Sequence, residues 1–167
     1  VIKNLPVITK LDLDWDRILK MLLVHDLPEL ETDLGDVSAN ILDANHEITK
    51  EKDLQEGFAI DELEKSISAM CPDFSKLMSE YKERKTPESK FSSAINRLEA
   101  TTHILNSDIS EYGDMDYTIK HLSKVLKDCP ELENFIKRIK IELEKKCKKN
   151  NIEWQTAYNS STYNLEH

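Results

Sequence analysis

The sequence has few of the residues that build turns. Its 167 residues include only 3 Gly and 5 Pro, while 33% of them are charged. Sheets and hairpins need Gly and Pro at many of their turns, so this composition favours an all-α protein. A chain of this length suits one domain with a sizeable core.

Long apolar runs, export signals and paired cysteines are also lacking. No run approaches the roughly 18 consecutive apolar residues of a membrane span, so we expect no membrane partner. No apolar, small-residue export signal opens the chain. The three cysteines, Cys71, Cys129 and Cys147, are scattered and odd in number. Such cysteines are typical of reduced thiols in a cytoplasmic protein.

Acidic residues outnumber basic residues: the chain has 32 Asp and Glu but 23 Lys and Arg, which gives a net charge of −9. Nucleic-acid binding needs a basic surface, so this balance argues against a nucleic-acid partner. A small anionic substrate can still bind where a metal ion and a few local Lys or Arg face it.

The most unusual stretch is an adjacent pair, His25 and Asp26, inside an apolar run. Both side chains cost free energy to bury unless something binds them. Spacings of four, three and four residues place His25 on one helical face with Ile18, Leu22 and Glu29. Asp26 follows one residue further round, so imidazole and carboxylate can reach a common point.

Imidazole nitrogen and carboxylate oxygen are ligands that zinc, manganese, iron and cobalt accept, so the His25–Asp26 pair predicts a divalent-metal site. The sequence does not distinguish Zn, Mn, Co, Fe or Mg as the ion. Glu29, one turn after His25, can then take a proton from water. A second interpretation stays open on the residues alone. A His on an apolar helix is usually a satisfied core residue, an Asp beside it can be a cap, and dipeptides recur by chance.

We predict that the helix carrying this pair begins after Asp12 or Asp14, whose carboxylates can cap it, and runs to about Glu31. Pro28 removes one internal hydrogen bond and should kink the helix just beyond the pair. A loop is predicted over residues 32–46.

Apolar spacing and capping residues predict five more helices downstream. They cover the segments 49–70, 74–81, 87–105, 117–126 and 132–149. A polar stripe that includes Asn96 runs along the third of them. Residues 151–164 are predicted to form an extended or frayed tail.

Two blocks of sequence resemble HD-domain metal-dependent phosphohydrolases, and among these the small 5′-deoxynucleotidase-like branch. Residues 21–29 (MLLVHDLPE), followed by the Gly-Asp pair at 35–36, are similar to the family signature. Residues 81–91 (YKERKTPESKF), followed by 95–99 (INRLE), are similar to a distal segment of that branch. The blocks occur in the expected order, and the resemblance covers about residues 14–106.

The resemblance implies hydrolysis of a phosphomonoester, with a deoxyribonucleoside 5′-monophosphate as substrate and a homodimer as assembly. It implies that His25 and Asp26 bind the metal ion and that Glu29 orients or deprotonates the attacking water. Asp36 would bind a further water or the sugar hydroxyl. The spacing from His25 to the Gly-Asp pair is about two residues longer than in the family pattern, so either Asp33 or Asp36 can face the site.

The chain departs from the family pattern at Asn96, where the family has an Asp that completes the metal site. An Asn offers a neutral carbonyl oxygen, so the site loses one negative charge but keeps a possible ligand. The family's first metal-ligating His precedes the His-Asp pair by a few dozen residues, so its position falls upstream of Val1.

We therefore predict one HD-type helical domain over residues 1–150, with its first helix truncated, and a tail over 151–167 that ends in an expression-tag remnant. The predicted function is that of a cytoplasmic, metal-dependent phosphohydrolase, weakened by Asn96. Two alternatives remain: a degenerate relative that binds a nucleotide or metal without turnover, and a helical interaction protein.

Overall fold

The regular structure is helical throughout the part of the chain that the structure describes. That structure is a computed structural model, and it describes residues 8–34, 37, 39–108, 114–161 and 163. Seven α-helices and four short 3-10 helices occur in these residues. The all-α class predicted from the shortage of turn residues is thereby confirmed.

The α-helices follow one another along the chain. They are α1 (Trp15–Val24), α2 (Ala39–Ala44), α3 (His46–Ile67), α4 (Phe74–Glu83), α5 (Pro87–Asn106), α6 (Met115–Asp128) and α7 (Glu133–Lys149). The 3-10 helices are Ile8–Lys10, Leu27–Glu31, Pro130–Leu132 and Thr156–Asn159. The last five α-helices correspond to the five predicted downstream, whereas α2 lies in the segment predicted to be a loop.

Side-chain caps fix where several helices begin. The Asp14 carboxylate accepts a hydrogen bond from the backbone N–H of Arg17 at 3.0 Å, which starts α1 as predicted. The Asn45 side chain accepts from the backbone N–H groups of Glu47 and Ile48, so α3 starts at His46, earlier than predicted. These contacts satisfy backbone donors that the first helical turn leaves without partners.

The helix that carries the His-Asp pair ends sooner than predicted. α1 stops at Val24, and the chain continues as the 3-10 helix Leu27–Glu31 rather than as a kinked α-helix to Glu31. Pro28 has no backbone N–H and cannot donate to the carbonyl four residues earlier. The backbone tightens instead, so that the Glu29 N–H donates to the Asp26 carbonyl at 3.1 Å.

Contacts divide the chain into two compact units, with the boundary inside α5. One unit is Asp14–Ser92, and the other takes in the remaining described residues. The division predicted from the sequence, a domain over 1–150 and a tail, stays a prediction.

The unit Asp14–Ser92 is built around an apolar core between α1, α3 and α4. Its buried members are Met21 and Val24 of α1 with Phe74, Leu77 and Met78 of α4. The 3-10 helix Leu27–Glu31 packs against α3. This packing holds the segment just after α1, which includes His25 and Asp26, against the core.

In the other unit, α6 and α7 pack together and the C-terminal segment folds back onto α7. Tyr158 is buried, and the buried Lys140 ammonium donates to the carbonyls of Tyr158 and Ser160 at 2.9 and 2.7 Å. Burial lowers the pKa of Lys140. The prediction of an extended or frayed tail is therefore wrong for Thr156–Asn159, which form a 3-10 helix whose Tyr158 carbonyl accepts from an interior lysine.

Within the described residues, no helix has both the length and the apolar character that a membrane crossing requires.

Candidate metal centre

His25 is the C-cap residue that directly follows α1, and its imidazole lies against the core of the unit with only 9% of the side chain exposed. The ring Nδ1 lies 3.0 Å from the Leu22 carbonyl oxygen. A carbonyl oxygen can only accept, so Nδ1 carries the proton and donates it to Leu22. The lone pair of the neutral imidazole is therefore on Nε2, the nitrogen that is available to a metal ion.

The Nε2 atom of His25 is buried and has no hydrogen-bond partner among the described residues. It lies 3.0 Å from Asp26 Oδ1, without hydrogen-bond geometry between them. With the ring proton on Nδ1, two electron-pair donors face each other, and a buried acceptor without a partner costs about 1–3 kcal/mol. A divalent cation between the two atoms would satisfy both.

The spacing of these two atoms fits a metal ion. Donor atoms that each lie about 2.1 Å from an ion and subtend a right angle are about 3 Å apart. The interpretation of His25 as a satisfied core residue accounts for Nδ1 but not for Nε2. The interpretation of Asp26 as a helix cap also fails, because its side chain makes no cap hydrogen bond and is 67% exposed.

Tyr81 fixes the orientation of the His25 ring from α4. The two ring centroids are 4.8 Å apart, with an interplanar angle of 49°. The imidazole is thus held by the Leu22 carbonyl at Nδ1 and by an aromatic ring against its side. Sequence analysis placed Tyr81 at the end of a predicted helix and at the start of the second family block, but it did not predict the contact with His25, because periodicity does not show which residues of two helices meet.

Glu29, the predicted proton acceptor, lies in the 3-10 helix and makes an ion pair with α3. Its Oε1 lies 2.7 Å from the Nζ of Lys52, which is buried. The same ammonium lies 3.6 Å from Glu56 Oε1, and Glu56 Oε2 lies 2.7 Å from Lys82 Nζ. Sequence analysis missed these three partners. The sequence signal that could have indicated the Lys52–Glu56 pair was their four-residue spacing, which places both on one helix face.

Three further residues were predicted for the site: Asn96, Asp33 and Asp36. Asn96 is a partly buried residue of α5 in the other unit, and its role as a ligand stays a prediction. Asp33 is exposed, and its backbone N–H donates to Gln55 Oε1 at 3.1 Å. Asp36 lies outside the described residues. Among the residues that are described, no three His, Cys, Asp or Glu side chains gather into a metal-binding cluster.

A comparison with models of known protein families shows the family to which the chain belongs. The model of the HD domain matches residues 6–163. The chain belongs to the HD-domain family. Members of this family are typically metal-dependent hydrolases, phosphohydrolases among them, and they generally bind divalent metal ions. Neither the curated proteins nor the solved structures include a match to the chain.

The family resemblance seen in the sequence is thus confirmed at the level of the HD domain. For the divalent ion that HD domains generally bind, this chain offers a fitting pair of donors. The buried Nε2 of His25 has no hydrogen-bond partner among the residues that the structure describes, and the Asp26 carboxylate next to it brings the negative charge that a cation requires.

Proposed function

We propose that this HD-domain protein is a metal-dependent phosphohydrolase that removes phosphate from a nucleoside 5′-monophosphate, with a deoxyribonucleotide as the preferred substrate. One observation carries the proposal: the buried His25 Nε2 has no hydrogen-bond partner in the described chain and lies 3.0 Å from Asp26 Oδ1. The nucleotide specificity rests on the resemblance of residues 21–29 and 81–99 to the 5′-deoxynucleotidase-like branch.

His25 and Asp26 are the proposed metal ligands, and Asn96 is proposed to complete the set through its carbonyl oxygen. When bound, the divalent ion polarises the phosphoryl group and lowers the pKa of water towards neutrality. The nitrogen ligand favours zinc, manganese, iron or cobalt over magnesium, which prefers oxygen ligands alone. The hydrogen bond from Nδ1 to Leu22 keeps the imidazole in the tautomer that ligation needs.

Glu29 is the proposed proton acceptor for the attacking water. Its Oε1 is engaged by the Lys52 ammonium at 2.7 Å, which leaves Oε2 as the oxygen that receives the proton. A positioned general base of this kind contributes about 10²–10⁴-fold to the rate. Asp36, or Asp33 in its place, is proposed to contact a further water or the sugar hydroxyl.

The homodimer and the cytoplasmic location remain proposals, as does the expectation of a small-molecule nucleotide rather than a nucleic acid as partner. The dimer comes from the family resemblance. The location comes from the cysteines, of which Cys71 and Cys147 have thiols whose pKa is raised by burial.

A second candidate function is binding of a nucleotide or metal ion without turnover. Asn96 favours it, because a neutral amide in place of the family's Asp weakens the attraction for a divalent cation. This candidate shares the metal site with the first but predicts no release of phosphate.

An assay of phosphate released from nucleotides by the purified protein distinguishes the phosphohydrolase from the binder without turnover. The chelated protein is reloaded in turn with Mn²⁺, Co²⁺, Zn²⁺ or Mg²⁺ and mixed with deoxyribo- and ribonucleoside 5′-monophosphates. Nucleoside 3′-monophosphates serve as controls for position. We expect metal-dependent release from the 5′-monophosphates, faster for the deoxyribonucleotides. Metal binding without release from any substrate supports the degenerate binder, and absence of both refutes the metal site.

A further inference from the structure

Lys52 is one of the few charged residues in the interior, with 7% of its surface exposed. Its Nζ lies between two carboxylates, 2.7 Å from Glu29 Oε1 and 3.6 Å from Glu56 Oε1. Glu56 is one turn further along the same helix, α3, whereas Glu29 lies in the 3-10 helix that follows the His-Asp pair. Lys52 is therefore a direct ionic link between α3 and the segment that carries the proposed proton acceptor.

The charges around Lys52 form a chain of alternating sign. Glu29, Lys52 and Glu56 are followed by Lys82 of α4, whose Nζ lies 2.7 Å from Glu56 Oε2. Lys82, at the outer end, is the most exposed of the four, and the side chains of Lys52 and Glu56 are largely buried. A buried ammonium needs such partners, because an unpaired charge in the interior is strongly unfavourable.

Stability alone is a weak explanation for this arrangement. A buried ion pair often contributes no more to stability than apolar side chains of similar volume. The 3-10 helix also packs on the apolar core through Leu27, and its Pro28 is buried. The ammonium also gives one carboxylate oxygen of Glu29 a fixed partner, which restricts the rotamers that this side chain can adopt.

We infer that Lys52 is a positioning residue for Glu29: its ammonium holds Oε1 so that Oε2 is presented to the attacking water. The inference rests on the proposed function, since Glu29 must act on the water for its orientation to matter. Misplacing a reacting group by about 1 Å can cost about 10²-fold in rate. A cation that fixes the Glu29 carboxylate can therefore have a large effect on kcat.

A double-mutant cycle tests the inference. The full chain is compared with K52M, E29Q and the double variant, each loaded with the metal ion that supports turnover. We expect K52M to lower kcat by about 10–100-fold while KM changes by less than about threefold. In the E29Q background, K52M should lower kcat by less than about twofold more, because the group it positions is already gone.

Two further variants make the test specific. Lys52→Arg keeps the cation and should recover most of the kcat that K52M loses. Lys65→Met is the matched control, since Lys65 lies on the same helix in an ion pair with Glu62 but has a 70% exposed side chain. Its kcat should stay within about twofold of the parent, because exposed pairs contribute little. If K52M does not fold, Lys52→Gln takes its place in the cycle.

Urea unfolding of the parent, K52M, E29Q and the double variant supplies a readout that does not depend on activity. A contact between Lys52 and Glu29 in solution predicts that the two substitutions shift the unfolding midpoint non-additively. Additive losses of kcat, or an unchanged kcat in K52M, overturn the positioning role while leaving the proposed function standing. A metal-loaded parent protein that releases no phosphate overturns the proposed function and this inference together.

Discussion

The Nε2 of His25 and the Oδ1 of Asp26 lie 3.0 Å apart, and the nitrogen is buried without a hydrogen-bond partner in the described chain. The pair lies directly after α1, which ends at Val24, and before the 3-10 helix Leu27–Glu31. The Leu22 carbonyl then fixes the ring proton on the opposite nitrogen. The free energy lost at the partnerless nitrogen is the physical reason to expect a cation there.

Substitution of Glu29 by Gln should leave metal and substrate binding intact but reduce turnover, because an amide cannot accept the proton from water. The expected fall in kcat is about 10²–10⁴-fold, with little change in KM. Glu31→Gln, an exposed position at the end of the same 3-10 helix, is the control and should behave like the parent. A fall of less than about threefold in E29Q removes Glu29 from the role.

Tyr81 should matter for metal affinity through its ring and much less through its hydroxyl. Tyr81→Ala removes the aromatic face that packs 4.8 Å from the His25 ring, so the imidazole loses part of its orientation. Residues that orient metal ligands typically change affinity by about 10–100-fold when they are mutated. Tyr81→Phe is the matched variant, and isothermal titration with the metal ion is the measurement. Equal weakening in both variants would place the effect in the hydroxyl instead.

The caps and spacings predicted five downstream helices because these signals are local. The end of α1 was misplaced, since Pro28 produced a 3-10 helix where a kinked α-helix was expected. Tyr81 and Lys52 were missed for a different reason: their roles depend on contacts between α4 or α3 and the segment after α1. Such contacts are set by tertiary packing, which periodicity does not encode. The role of Asn96 stays a prediction that rests on the family resemblance alone.

Asn96→Asp should tighten metal binding and raise hydrolysis of deoxyribonucleoside monophosphates, because a carboxylate adds the charge that attracts the cation. Metal titrations and thermal melts of both proteins test this. Asn106→Asp, at an exposed position on the same helix, controls for a general effect of added negative charge. Weaker metal binding in N96D, together with a lower melting temperature, would refute the ligand role and indicate a buried, unpaired carboxylate.

Glu80 should contribute pH-dependent stability. Burial raises the pKa of its carboxyl, but hydrogen bonds from Arg17 and Thr86 outweigh burial and leave the pKa lowered. A carboxyl with a lowered folded-state pKa stabilises the protein above its unfolded-state pKa, and this stabilisation is lost as the pH falls through the folded value.

The test is urea unfolding of E80Q and the parent at several pH values. Near pH 7, E80Q should be less stable by about 1–3 kcal/mol, since it loses charge-assisted hydrogen bonds. The difference should shrink as the pH drops below about 4. Glu83→Gln, an exposed position at the end of the same helix, should show no comparable loss. A difference between E80Q and the parent that does not change with pH would contradict the assignment.

The metal content of two single variants tests the central claim most directly. Elemental analysis of the parent protein, loaded with a divalent ion and desalted, should find bound metal. His25→Ala and Asp26→Ala should each lose most of it while their helical circular dichroism stays close to that of the parent. His46→Ala, at an exposed histidine that begins α3, should retain the metal. Unchanged metal content in both H25A and D26A would contradict the account.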